Sequence, residues 1–372
     1  MTEAAPRILV SAGEPSGDLH GAEVVTALRQ RWPGADIEGV GGPRMAAAGA
    51  RLLFPMERLS AMGAVEVIRR IPAHLELYRI LKAGFRNRRW DLYLPIDYPG
   101  FHLRTGGAAR RAGVPVLYYI PPQLWAWRPG RARRLAGAVD RLAVVLPFEP
   151  AFFAELGLPA TYVGHPLLDR PPGPSREEAR RALGIPAEAR VLALFPGSRE
   201  QEVRAHWETF RAVGEVLRGE GRCDTVVVAA TPAGSYPDPG GAALHPDSRA
   251  VLAAADACLA KSGTTTLEAA LADVPMAVAY RMHPVSFAVA RRLVTVRWVS
   301  LVNLIAEREV VPEFLQDAMT APALIEAMGG LLAEGSTGRR AQLAGLAAVR
   351  ERLGTPGASA RVAELAAELL GR

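Results

Sequence analysis

The 372-residue chain holds only two cysteines, Cys223 and Cys258, both inside apolar runs. Thiols so few and so placed exclude a disulfide framework and suit a reducing compartment. Lysine is nearly absent: of 44 basic residues only Lys82 and Lys261 are lysines. No apolar run reaches the ~20 residues that a bilayer-spanning helix needs. No charged and then apolar leader precedes the first strand-like run, Arg7-Ile-Leu-Val-Ser, so a signal peptide is not expected. There is no Walker Gly-x-x-x-x-Gly-Lys, no Asp-x-Asp and no His/Cys spacing suited to zinc. Nor does Gly-x-Gly-x-x-Gly follow the first strand, which counts against an NAD enzyme.

What is present is a 49% hydrophobic chain, long enough for two domains with a core each. Apolar runs at 8–11, 37–40, 92–96, 116–120, 142–146 and 160–163 alternate with helical patterns. Pro171-Pro-Gly-Pro then interrupts, and Ser175-Arg-Glu-Glu starts a charged helix. The alternation resumes at 191–195, 225–230, 255–259 and 276–280. Residues 231–247 are rich in Gly, Pro and Asp and read as a loop. Beyond 321 the chain is helix-forming, with no strand signal. Continuous apolar strands separated by helices predict parallel sheets covered on both faces. The expected architecture is α/β: two doubly wound Rossmann-like domains facing a cleft, 1–169 and 175–340, joined by a linker at 170–174. The net charge of +6 is compatible with a nucleic-acid binder, with a bias toward arginine, or with attraction to anionic lipid and phosphorylated substrates. The arginines are scattered, which weakens the nucleic-acid reading. They thicken at 69–70, 86–89, 104–111 and 128–134.

The richest motif is Ser-Gly-Thr-Thr-Thr-Leu-Glu at 262–268, following an apolar run and opening a helix. A helix N-terminus exposes unpaired N–H groups and a partial positive charge, which suits a phosphate. Gly263 admits close approach, Thr264 to Thr266 add hydroxyls, and Glu268 can accept hydrogen bonds from a ribose diol. A helix merely capped by Ser262 or Thr264 explains the same residues. A second such turn, Phe195-Pro-Gly-Ser-Arg-Glu, offers Gly197 for the turn, Ser198 as a cap and Arg199 to grip a diphosphate. Arg281 follows the strand at 276–280. Asn303 and Gln316 offer amides that bind a sugar or cap a helix. Phosphate charge is expected to be met by helix ends and arginine, with no metal and no cofactor.

The first half has a different chemistry. Glu14, Ser16 and Asp18 lie in Ser-Ala-Gly-Glu-Pro-Ser-Gly-Asp, whose acids repel phosphate and suit a hydroxyl-rich ligand. Asp97 ends the strand at 92–96, where an acid beside apolar neighbours can serve as general base or start an ordinary Asp turn before Pro99. Trp125, Trp127 and Arg128 can stack on a sugar or pack a loop. His165 offers a base or a hinge. Val65, Ile68, Ile71, Leu75 and Tyr78 fall near one helical face bordered by arginines, with Pro72 expected to break or kink it. That face can rest on a membrane or pack into a core.

Together these segments resemble the lipid-A-disaccharide synthases, glycosyltransferases of family 19. The resemblance runs in order through 11–18, 41–45, 62–67, 97–101, 118–131, 146–150, 162–167, 196–199, 262–268, 280–282 and 300–306. It implies the GT-B fold, with C-terminal helices (341–372) returning to the first domain. It implies metal-independent joining of UDP-2,3-diacylglucosamine to 2,3-diacylglucosamine 1-phosphate (lipid X), giving a β-1,6-linked disaccharide and UDP. The implied location is the cytoplasmic face of an anionic inner membrane, held peripherally. Asp97 becomes the candidate base, and Arg199, Glu268 and Asn303 align with UDP-side positions. Glu14 and Asp18 fall on the acceptor side. His102 stands where the family often has Asn and is the competing base. Pro121, Lys261 and Phe195 replace a common Ser, Ala and Leu. A UDP-N-acetylglucosamine 2-epimerase of the same fold and a non-catalytic polyanion binder are the rival readings.

Overall fold

Short apolar strands between amphipathic helices assemble into two separate parallel sheets. The computed structural model describes residues 5–59, 64–126, 132–283, 287 and 296–371, with backbone alone for 64–69. It divides into two compact units, Met1–Arg170 with Thr355–Arg372, and Pro171–Gly354.

The first unit holds β1 (Arg7–Ala12), β2 (Asp36–Gly41), β3 (Arg51–Pro55), β4 (Leu92–Ile96), β5 (Leu117–Tyr119), β6 (Arg141–Val144) and β7 (Ala160–Tyr162), in the order β3-β2-β1-β4-β5-β6-β7. Alternate residues of a strand face opposite layers. Leu9, Tyr93 and Tyr118 therefore meet Leu77, Leu81 and Phe85 on one side. Ile8, Val10, Leu92 and Leu94 meet Val24, Val25 and Leu28 on the other. Burial on both faces is why residues 92–96 read as an unbroken apolar run. The second unit holds β8 (Val191–Phe195), β9 (Thr225–Ala229), β10 (Ala243–His245), β11 (Ala257–Lys261), β12 (Met276–Tyr280) and β13 (Glu313–Leu315), in the order β10-β9-β8-β11-β12-β13.

Three strands depart from expectation. β3 has only the short run Leu52-Leu-Phe, β10 and β13 have none, and β10 arises within the stretch that composition marks as loop. All three lie at sheet edges, where a strand is paired on one side only and need not be apolar. Pro72 does not break its helix, which runs unbroken from Ala64 to Arg86. Ile71 and Pro72 both face solvent, so water can satisfy the carbonyl that proline leaves unpaired.

The C-terminal boundary also moves. Residues 341–353 belong to the second unit, in the helix Thr337–Leu353. There the Gln342 amide accepts from the Met276 N–H at 2.6 Å and donates to its carbonyl at 3.0 Å, and Leu346 and Val349 are buried. Only the helix Ala358–Leu370 joins the first unit, where Val362 and Ala366 enter the core. Its N-terminus is held by Asp169, whose carboxylate accepts from the N–H groups of Gly357 (2.5 Å), Ala358 (3.3 Å) and Ser359 (3.3 Å). Arg361 donates to the Val163 carbonyl at 2.7 Å, fastening the helix to the last strand.

Asp169 thus acts as an N-cap from 188 residues away in sequence. Asp169→Ala is expected to lower stability by about 1–2 kcal/mol. Urea unfolding reads this as a lower midpoint, and an unchanged midpoint would show that the cap contributes nothing.

Candidate active site

Ligands of a doubly wound sheet bind at the carboxyl ends of the strands, where the strand order reverses. In the second unit that point lies between β8 and β11, which pair directly, Phe195 beside the register of Ala260. Both phosphate-suited turns emerge there. Gly197 (φ +144°) and Gly263 (φ +154°) adopt backbone that favours glycine, and a Cβ on Gly197 would lie 2.4 Å from Glu202 Cβ. Each turn opens a helix, Glu200–Gly219 and Thr264–Leu271, and neither has a side-chain cap at the position before it. Apart from Thr266, whose N–H donates to the Gly263 carbonyl at 3.1 Å, the first-turn N–H groups suit an anion. Ser262 is not a cap either, because its hydroxyl donates to the Val299 carbonyl at 2.8 Å. Thr264 is exposed at the helix start and Glu268 is half-buried one turn on.

Glu202 joins the two turns and was not legible from sequence. One of its oxygens accepts from the Ser198 N–H at 3.0 Å, and the other accepts from Lys261 Nζ at 2.9 Å. Burial works against its ionisation, but the hydrogen bonds and charge of Lys261, with Ser198, leave its carboxyl below the ordinary value. Arg199 stands beside it with a side chain 80% exposed, 3.8 Å from Glu202.

Of the expected nucleotide contacts, Asn303 is fully engaged within the protein and Arg281 is engaged through one nitrogen. Asn303 is fully buried. Its amide donates to the Val311 carbonyl (2.8 Å) and Glu313 (2.9 Å), and its oxygen accepts from the Val310 (2.7 Å) and Val311 (3.0 Å) N–H groups. Such a side chain has no bond left for UDP. It holds Glu313, which in turn accepts from the Val299 and Ser300 N–H groups, so it shapes the segment to which Ser262 is tied. Arg281 donates through Nη2 to the carbonyls of Gln316 (3.3 Å) and Met319 (2.6 Å), a brace within the protein. The Gln316 amide lies against the Met282 backbone, at 3.1 and 3.2 Å.

In the first unit the order reverses between β1 and β4, placing Glu14 and Asp97 at adjoining strand ends. Asp97 and Tyr98 both have left-handed backbone, with φ of +48° and +53°. This conformation is held by the Asp97 carbonyl, which accepts from His102 Nδ1 at 2.6 Å and from the Tyr118 hydroxyl at 2.8 Å. With its proton on Nδ1, His102 receives the Ser11 hydroxyl at Nε2, 2.9 Å away. Burial pushes the His102 pKa down to about 4, against the Asp97 carbonyl. The imidazole is therefore neutral, enclosed and engaged at both nitrogens. The Asp97 carboxyl is raised above its ordinary value, chiefly by burial. The Tyr98 N–H lowers it, the Glu14 charge adds to the rise, and His20 acts with Tyr98.

Other expectations meet different fates. Glu14 and Ser16 are exposed at the start of the helix Pro15–Arg31. Asp18 is buried, and its oxygens accept from the N–H groups of Gly42 (2.7 Å), Arg44 (3.1 Å) and Met45 (3.1 Å), capping the short helix Pro43–Ala47. Trp125 is 7% exposed and donates to Glu149 at 3.0 Å, which favours packing over sugar stacking. Glu149, pushed up to about 7 by burial against these hydrogen bonds, also accepts from the Val145 and Leu146 N–H groups. His165, buried and pushed down to about 4, accepts from the Leu167 N–H at 3.2 Å as a turn cap. Ile71 and Leu75 are 49% and 50% exposed. Trp127, Arg128 and the side chains of Val65 and Ile68 lie outside the described residues.

The architecture has counterparts among known proteins. Solved structures of the calicheamicin glycosyltransferase CalG4 (TM-score 0.60, 18% identity, 99% of each chain) and of a putative UDP-N-acetylglucosamine 2-epimerase from Listeria monocytogenes (TM-score 0.63, 14% identity, 98% and 96%) share the fold, that of GT-B glycosyltransferases. At such identity the likeness speaks for the fold alone. In sequence, the chain is 41% identical to the lipid-A-disaccharide synthase of Anaeromyxobacter sp. (strain K), over 98% of this chain and 97% of that one. It is also 41% identical to the synthase of Myxococcus xanthus (strain DK1622), over 98% of each. The family model described as lipid-A-disaccharide synthetase matches residues 8–361. The chain belongs to the lipid-A-disaccharide synthetase family.

Proposed function

We infer that this chain is an inverting glycosyltransferase that condenses UDP-2,3-diacylglucosamine with 2,3-diacylglucosamine 1-phosphate to the β-1,6-linked lipid A disaccharide 1-phosphate and UDP. The observation that carries the reading is the convergence of two uncapped, glycine-led helix starts at one switch point, in a chain of this family. In this account the UDP diphosphate takes the N–H groups after Gly197 and Gly263, with Ser198, Thr264 and the exposed Arg199. Glu268 holds the ribose. Asn303 and Ser262 support the site through backbone geometry, and Arg281 is braced beside it through Nη2.

Asp97 serves as general base. Its raised pKa makes it a better proton acceptor than an ordinary aspartate, and the clamp on its carbonyl fixes its direction. The acceptor 6-hydroxyl loses its proton to Asp97, its oxygen attacks the anomeric carbon, and the bond to UDP breaks with inversion. Arg199 and the helix ends stabilise the charge growing on UDP. Glu14 and Ser16 lie on the acceptor side. No helix among the described residues is long and apolar enough to cross a membrane. The exposed Ile71 and Leu75 support peripheral contact with the anionic cytoplasmic face of the inner membrane.

The test is turnover with both acylated substrates and EDTA present, scoring disaccharide and UDP together. Equal amounts are expected. Turnover of the UDP-sugar alone would instead indicate epimerase chemistry. Asp97→Asn should lower kcat by roughly 10²–10⁴ with UDP affinity unchanged. Its removal should also abolish an acid limb of kcat/KM that lies above the usual aspartate pKa of about 3.9. Full activity in a folded Asp97→Asn protein would refute the assignment. Glu268→Ala should weaken UDP binding roughly tenfold in calorimetry, as expected for a lost hydrogen bond to a charged group. Unchanged affinity would remove Glu268 from the ribose site.

A further inference from the structure

One cation at the β8–β11 switch point has no part in the account above. Lys261 is the last residue of β11. Alternation puts it on the face where Ala257 and Leu259 share a core with Val203, Trp207 and Phe210 of the helix Glu200–Gly219. Its side chain runs toward the first turn of that helix, and Nζ reaches Glu202 at 2.9 Å. Nζ also lies against the second glycine turn, 3.4 Å from where a Cβ on Gly263 would stand. The side chain is 19% exposed. An ammonium has three N–H groups, and among the described residues only one of them is committed.

This is an unfavourable place for a cation. Two helices begin here, and the positive ends of their dipoles repel an ammonium. Glu202 compensates. One of its oxygens accepts from Lys261, and the other accepts from the Ser198 N–H (3.0 Å) and hydroxyl (3.4 Å). The carboxylate is itself held in place. A Cβ on Gly197 would lie 2.4 Å from Glu202 Cβ, so only glycine lets the two turns pack this close. The Glu202 carbonyl accepts from His206 Nδ1 at 2.6 Å, and His206 Nε2 accepts from the Arg281 N–H at 2.9 Å, which ties this helix turn to the end of β12. A two-oxygen anion thus already bridges a donor from each turn. A phosphate presents a similar pair of oxygens, and the uncommitted N–H groups of Nζ suit it. A diphosphate also brings negative charge beside Glu202 and Glu268, which Arg199 alone does not balance.

We propose that Lys261 is a diphosphate-binding residue of the donor site: Glu202 holds its ammonium between the two turns, and a remaining N–H donates to the phosphate of the UDP-sugar. Glu202 is then a positioning residue that orders Lys261 and the Ser198 turn before the donor arrives. As the bond to the sugar breaks, Lys261 shares with Arg199 the charge gathering on UDP. The proposal rests on the function inferred above and adds a residue to its donor site.

The test is calorimetric binding of UDP to the full chain in a double-mutant cycle. Lys261→Met keeps the reach of the side chain and removes its charge. It should weaken UDP binding roughly 10–100-fold, and Lys261→Arg should recover most of the loss. The same Lys261→Met change made in a Glu202→Gln background should still weaken binding several-fold relative to Glu202→Gln alone. If Lys261 serves only to neutralise Glu202, the double variant instead binds UDP as the wild type does, and that result overturns the proposal. Unchanged affinity in Lys261→Met overturns it as well. Thermal melts check folding, and the double variant, which leaves neither charge unpaired, carries the comparison if Lys261→Met alone is unstable. Binding is read without turnover, so a wild-type protein that shows this dependence on Lys261 but forms no disaccharide refutes the reaction and upholds the residue. A wild-type protein that does not bind UDP refutes both.

Discussion

The structure depends on one consequence of parallel strand order. Where successive crossovers leave a sheet in opposite directions, two neighbouring strands end without a connection covering the space between their carboxyl ends. Each unit has one such point, β1 with β4 and β8 with β11. The helices beginning there present N–H groups that their own backbone cannot satisfy. The second unit leaves these donors open behind two glycine turns. The first unit places carboxylates at the equivalent location. Under the proposed function, one architecture serves as an anion-accepting site in one unit and a proton-accepting site in the other, according to the few residues that follow each strand.

Support for these sites comes from buried polar groups that face the protein. Asn303, Glu313 and Ser300 satisfy one another and the backbone around Val299, and Ser262 is tied to that segment. His102 and Tyr118 do the same for the Asp97 carbonyl. A buried donor or acceptor left unpaired costs about 1–3 kcal/mol, so such networks keep one geometry. Glu202 is a different case. It lies between the turns, accepting from Ser198 and Lys261, with the exposed Arg199 alongside. A phosphate entering there meets the same donors, and the two cations offset the repulsion between the anions.

The strand ends were legible in the sequence because a central parallel strand leaves a continuous apolar run with the functional turn directly after it. Asp97, Gly197 and Gly263 each follow such a run, and the structure places each just after a strand end. Edge strands such as Glu313–Leu315 leave no such run. Polar residues were harder to read, since sequence shows that Asn303, Arg281 and Asp18 need partners but not whether these are ligands or backbone. In each case the structure supplies backbone or protein partners. Long-range pairs such as Asp169 with Gly357, or Glu202 with Lys261, depend on a fold that brings distant residues together.

The central claim is that both turns at the β8–β11 switch point bind the diphosphate of UDP. Hydrogen–deuterium exchange of the full chain with and without UDP tests it most directly. The account predicts slower exchange at Ser198 to Glu202 and at Thr264 and Thr265, with the Asn303 region, already bonded, changing little. Protection confined to the Asn303 region, or absent from both turns at saturating UDP, would contradict it.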